Sequence, residues 1–237
     1  MSSTANLELP LLQQSQAQKH VVVNEALAIL DGVAQLTLES LSVATPPANP
    51  SEGQAYGLPS GLSGAWTFQA GKIAVFCNGG WRFVIPKAGW SAYVKDQGRR
   101  YVHDGIVWLG DALNATSNGA ATNFSVLEFD QNVGSGAKVT TTVKIPAYST
   151  VLGVTGRVVT RLNTGSLNSF WLGVPASLQR YGHGFGTAAN AMVYGMTGVP
   201  LSYFEDTPLV LTAAGGTFGG GKVRLAVHLA YMSVPRS

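Results

Sequence analysis

Hydrophobic positions along this chain follow two different periods. Between residues 15 and 36 they recur at alternating three- and four-residue spacing, which lines up side chains on one side of a helix. One seam is Val23, Leu27, Leu30 and Ala34; its neighbour is Val22, Ala26, Ile29 and Val33. Ser15 followed by Gln18 matches a capping box, so the pattern predicts a helix over residues 15–36. Its apolar stripe is wide, and the reading assigns Val22, Val23, Ala26, Leu27, Ile29, Leu30 and Val33 to self-association or docking. Gly32 weakens that helix by about 1 kcal/mol relative to alanine.

After residues 45–54, TPPANPSEGQ, the helical period is gone. Three prolines and a glycine make that stretch a rigid connector. Residues 55–112 read as short strands divided by glycine turns. In WRFVI, Trp81, Phe83 and Ile85 fall on one face by the period of two. KIAVFC runs into Asn78–Gly79, a strong hairpin signal. The expectation is a small antiparallel β-meander of about five strands, with Trp66, Trp81, Trp90 and Trp108 mainly in its core. Residues 111–123, DALNATSNGAATN, are polar and aperiodic and read as a linker. Beyond it, KVTTTVKI and KVRLAVHLAY alternate strictly, as one-sided antiparallel strands do. Seven or eight such strands suit a jelly-roll-like β-sandwich. The chain is therefore mainly β, divided as 1–44 N-terminal segment with helix, 45–112 meander, 113–123 linker and 124–237 sandwich.

Composition supports that class. Charged residues make up 11% and glycines number 29 in 237 residues, which favours tight-turned sheet over disorder. The net charge of +3 comes without a cluster of basic residues, so no nucleic-acid partner is expected. Cys77 is the single cysteine and sits in the apolar run IAVFC, where a buried thiol is expected. No apolar run reaches the roughly 18 residues of a membrane span, so no membrane insertion is expected. The start MSSTANLELPLLQQSQ lacks a basic and then apolar leader, which points to synthesis in the cytoplasm and release by lysis.

Several unusual motifs occur in order: LPLLQQSQAQKHVVVNEALAILDGV, ATPPANPSEGQAYGL, GAWTFQAGKIAVF, GGWRFVIPKAGW, then YV.D and DG..W. Across roughly residues 7–109 they resemble a domain of unknown function found in alphaproteobacterial prophages and gene transfer agents. The resemblance implies a structural component of a phage-like particle, of the head-spike or fibre type, associated with attachment to the host capsule. It implies a homotrimer, other head or tail proteins and host capsular polysaccharide as partners. The C-terminal part resembles, more loosely, the β-sandwich tips of phage fibres.

Motifs that would carry chemistry fail on context. GGTFGGGKV has the spacing of a phosphate loop, but Val223 replaces the metal-binding hydroxyl residue and a strand follows instead of a helix. RYGHGFGT lacks the βαβ setting of a dinucleotide loop. His20, His103, His183 and His228 do not pair at metal-ligand spacing, so no metal or cofactor is expected. Glu205–Asp206 is the one adjacent acidic pair, and neighbours on a strand point apart; the chain is not expected to be an enzyme. Carbohydrate binding remains, through aromatic faces and polar loop groups. The candidates are Arg180, Tyr181, His183, Tyr194, Tyr203, Glu205 and Asp206, in loops at residues 179–190 and 202–207 or beside them. Tyr181, next to Gly182, reads as the best exposed of them. Trp171 reads as core. Two alternatives stay open: a structural connector without a ligand, and a capsule-degrading enzyme.

Overall fold

A computed structural model describes residues 4–7, 9, 11, 19–162 and 167–237, and helix side chains from residue 23 onward. The chain is mainly β, with one α-helix among the described residues, α1 (Lys19–Val33). It divides into two compact units, Met1–Ala121 with Val234–Ser237, and Thr122–Ser233.

In the first unit the strands are β1 (Thr37–Leu38), β2 (Ala55–Gly57), β3 (Ile73–Cys77), β4 (Gly80–Val84), β5 (Ser91–Val94), β6 (Arg99–His103), β7 (Trp108–Gly110) and β8 (Ala112–Ala115). β1 to β7 build two small sheets rather than one meander, and β8 pairs with neither. One is three-stranded in the order β2-β3-β4, the other four-stranded in the order β1-β5-β6-β7. β1 lies parallel to β5, with Thr37 opposite Tyr93. Two residues are too short to show a period, which is why β1 escapes a sequence pattern.

The β3–β4 hairpin turns at Asn78 and Gly79, both with positive φ (52° and 70°), as the tightest hairpins require. The Glu52 carboxylate accepts both turn N–H groups at 2.8 Å. The tryptophans pack as expected. Trp66 is fully buried and meets Trp81 edge-on at 5.0 Å, with Tyr56 beside both. Trp90 and Trp108 pack against a second cluster formed by Leu36, Leu38, Ile73, Val75 and Val94. Ile85, expected on the Trp81 face, lies past the end of β4 and is exposed. Cys77 is buried, and burial pushes its thiol pKa up.

The helix differs from its expected span. It stops at Val33, and Gln35 takes a positive φ of 51° on the way into β1. Ser15, Gln18 and the Val22 side chain lie outside the described residues. Val33 packs inward; Leu27 and Ile29 are half-buried; Val23, Ala26 and Leu30 are exposed. Asp31, unremarked in the sequence, is buried and gathers the segment ahead of the helix. Its carboxylate accepts the Thr4 hydroxyl at 2.7 Å and the N–H groups of Asn6 and Leu7 at 2.8 and 2.5 Å. Residues 112–120 are not a loose linker: β8 is followed by a turn closed by Thr116 and Ala120.

The second unit holds β9 (Ala121–Asn132), β10 (Ser135–Gly136), β11 (Lys138–Ile145), β12 (Ser149–Thr160), β13 (Ser169–Gly173), β14 (Phe185–Gly186), β15 (Met192–Tyr203), β16 (Thr207–Ala214), β17 (Phe218–Gly219) and β18 (Lys222–Ser233). β15, β12, β18 and β9 follow one another in one sheet; β11, β16, β13 and β14 form the other. A single core fills the space between them. β12 and β18 supply Val154, Val158, Val223, Leu225, Val227 and Leu229, and the facing sheet supplies Ile145, Phe170, Leu172, Leu209 and Leu211. Alternation in KVRLAVHLAY thus reports the inward face directly, because side chains of one strand alternate between core and outside.

Candidate functional site

The expected binding residues do not gather in one place. Tyr181 is 1% exposed, the reverse of the expectation. Gly182 beside it and Gly195 on β15 leave room for packing rather than for exposure, while Gly184 is in open space. A Cβ on Gly182 would meet the Phe185 ring at 2.7 Å, and one on Gly195 would meet the Tyr181 carbonyl oxygen at 2.5 Å. The Tyr181 N–H donates to the Leu172 carbonyl, which aligns this segment with β13. Inside the core its hydroxyl bonds that of Tyr203, also buried, at 2.7 Å. Burial and this bond push the Tyr181 pKa well above the usual tyrosine range. Both tyrosines are therefore structural. Arg180 donates to the Val199 carbonyl at 2.7 Å, and His183 is exposed on its loop. Tyr194 projects from β15, roughly 30 Å along the strand from Phe204 at about 3.3 Å per residue.

The turns β11–β12 and β15–β16 do come together, and they carry an aromatic pair that sequence reasoning missed. Tyr148 and Phe204 are 76% and 72% exposed, yet their rings lie 6.4 Å apart at 79°. The turns are tied by the Tyr148 N–H donating to the Tyr203 carbonyl at 2.6 Å. The Ala147 N–H donates to the Asp206 carboxylate at 3.0 Å. Glu205 stands exposed beside Phe204, and the Thr150 and Ser202 hydroxyls bond each other at 2.7 Å just below. Tyr148 has a φ of 61°. That conformation costs a residue other than glycine on the order of 1 kcal/mol or more, and such strain persists only where surrounding contacts enforce it.

One signal for this site was present in the sequence. On β15, Tyr203 faces inward, so Phe204 must leave toward solvent. A large exposed aromatic beside Glu205–Asp206 at a turn could thus have been read from the alternation. Tyr148 left none, because its position depends on the fold.

In GGTFGGGKV, Phe218 is buried in the core and Gly221 has a φ of 112°. A Cβ on Gly221 would meet the Thr160 carbonyl oxygen at 2.7 Å, so this loop packs backbone on backbone instead of cradling a ligand. The first unit has a cavity of about 510 Å³ lined by Leu41, Leu58, Pro59, His103, Ile106 and Trp108. Its His103 is buried, with Nδ1 accepting the Gly105 N–H at 3.2 Å, and burial lowers its pKa. Among the described residues no three His, Cys, Asp or Glu side chains gather to hold a metal ion. No helix among them is long and apolar enough to cross a membrane.

Comparison with known proteins returns a family match over residues 23–109. That family is described as a protein of unknown function, DUF2793. No curated protein matches the chain. Among solved structures, a chain of the Cyanophage Pam1 capsid asymmetric unit is 21% identical, with a TM-score of 0.32. That similarity covers 47% of this chain and 84% of the capsid chain.

Proposed function

We propose that this protein is a structural and adhesive component of a phage-like particle, whose C-terminal unit holds a cell-surface polysaccharide at its tip. The observation that carries the binding half is the Tyr148–Phe204 pair. Exposed rings this close offer apolar faces to the C–H side of a sugar ring. The adjacent Glu205 and Asp206 carboxylates accept hydroxyl hydrogen bonds, and charge-assisted bonds of that kind are the stronger ones. The strained Tyr148 backbone fixes one ring in place before a ligand arrives, which lowers the ordering cost of binding. The particle half draws on the motif order over residues 7–109 and on the family match over residues 23–109. The finer reading is a head spike or fibre of a gene transfer agent, a homotrimer that binds capsule beside other head or tail proteins.

Purified capsular polysaccharide and a glycan array test this directly. Phe204→Ala and Tyr148→Ala each weaken retention at least about tenfold, a typical loss for a central aromatic contact. Their melting temperatures stay close to the wild type, because both rings are exposed. A blank array for the wild type favours a connector without a ligand. Release of oligosaccharide that stops on changing Glu205 or Asp206 favours a capsule-degrading enzyme.

A further inference from the structure

The sheet of β15, β12, β18 and β9 has one face on the core and one outside, and the outside face is not an ordinary polar one. Register identifies its rows. Tyr194 on β15 stands beside Thr155 on β12, which stands beside Ala226 on β18. Met196 is beside Gly153, which is beside His228; Ser202 is beside Thr150, which is beside Ala230. The paired positions of the two middle strands thus present a low floor of glycine, alanine and threonine around His228, with Leu152 exposed at the β12 bulge between them. His228 lies down on that floor, its Nε2 bonded to the Thr155 hydroxyl at 2.9 Å. Flanking it are two apolar ridges. One is Met192, Tyr194 and Met196 on β15; the other is Phe124 and Val126 on the outward face of β9. Tyr194 and Met196 are 66% and 75% exposed.

We propose that this face binds a second copy of the chain, with the β15 ridge of one copy seated on the low floor of the next. Three features select that occupant. First, the surface offers both halves of the fit, a bulky ridge and a shallow floor on neighbouring antiparallel strands. Second, its charge is mixed. Lys222, Arg224 and Arg157 stand at one end with Asp130 and Glu128, and Arg224 clasps Asp130 through two bonds of 2.7 and 3.0 Å. A mixed border does not repel an identical surface, whereas an anionic membrane or a nucleic acid would call for one sign. Third, the area is right. Four strands at about 4.8 Å spacing and ten residues of about 3.3 Å each give a footprint on the order of 500 Å². Side-chain relief raises the accessible area above that footprint, toward the roughly 800 Å² per partner of a stable interface. The apolar part of this face is the two ridges, whose Met192, Tyr194, Met196, Phe124 and Val126 are each at least half exposed.

The test is sedimentation velocity of the full chain from about 1 to 100 µM, a range that brackets micromolar affinity. The variants are Tyr194→Asp, Met196→Asp and, on the helix, Leu30→Asp. The wild type is expected at a multiple of one chain's mass. Each β15 variant weakens association at least about tenfold, since a charge must then be buried in an apolar contact, while near-ultraviolet dichroism is unchanged. Leu30→Asp keeps the association. A wild type that sediments as one chain throughout overturns the proposal. So does association that survives both β15 changes or disappears with Leu30→Asp, which would place self-assembly on the helix. The proposal shares self-association with the homotrimer reading, so a single-chain wild type removes both; glycan retention at the Tyr148–Phe204 pair is scored separately and stands or falls without them.

Discussion

Tyr181 shows how a local sequence cue misleads. Glycine neighbours suggest a mobile loop, and a tyrosine in one suggests an exposed ring. In the fold Gly182 admits close packing against Phe185, and Tyr181 becomes one of the largest fully buried side chains. Tyr181→Ala is therefore expected to destabilise the second unit by about 3–5 kcal/mol, the usual cost of emptying an aromatic core site. Tyr181→Phe removes only the bond to the Tyr203 hydroxyl and costs about 1 kcal/mol. Urea unfolding followed by Trp171 fluorescence separates the two, since Trp171 is the tryptophan of that unit. A Tyr181→Ala protein as stable as the wild type would contradict its place in the core. The exposed rings were half legible. Phe204 follows from the inward direction of Tyr203 on an alternating strand, whereas Tyr148 needs the turn conformation that only the assembled sandwich imposes.

At the level of elements, long strands were legible and short ones were not. Twelve residues of β18 give a full period-two signal; of its expected inward positions Val223, Leu225, Val227 and Leu229 are buried and Tyr231 is half-buried against the same core. The two residues of β1 give none, so the parallel pairing with β5 had no sequence trace. The helix lies between these cases. Its wide stripe was visible, but no pattern says which part of it packs. Contacts near its C-terminus decide this, and Gly32 tests it. By propensity alone, Gly32→Ala should stabilise the helix by about 1 kcal/mol. In the fold a Cβ at Gly32 would lie well inside contact distance of Val75 Cγ1, on the fully buried strand residue opposite. Overpacking of that kind costs about 1–3 kcal/mol. The expected net effect is a lowered melting temperature, opposite in sign to the propensity argument. A raised melting temperature would show that α1 moves away from β3 easily.

For the molecule as a whole, the part least visible in sequence is how distant segments close the first unit. Residues 234–237 follow the last strand of the second unit, yet belong to the first. Arg236 makes this closure through its backbone N–H to Asn118 at 2.6 Å and its side chain to the Ser117 carbonyl at 3.0 Å. Its guanidinium also pairs at 2.6 Å with Asp104, whose side chain is fully buried. No spacing rule connects residues 104 and 236. Burial alone would raise the Asp104 pKa. The N–H groups of Val107 and Ile106 and the Arg236 charge outweigh it and hold the carboxyl below its ordinary 3.8. A carboxyl depressed in the folded state stabilises fully above its unfolded value, and that contribution disappears as pH falls through the folded one. Asp104→Asn leaves the Arg236 charge without its partner; because that guanidinium is partly solvated, the cost near neutral pH is about 1–2 kcal/mol. The difference from wild type should hold from neutral pH down to about 4 and shrink below the ordinary 3.8. Tryptophan fluorescence in a Trp171→Phe background reads this unit through Trp66, Trp81, Trp90 and Trp108. A difference that persisted unchanged at pH 3 would mean that Asp104 acts by shape and not by charge. Arg236→Ala would then be expected to cost little, since it would remove a charge that nothing in the core depended on.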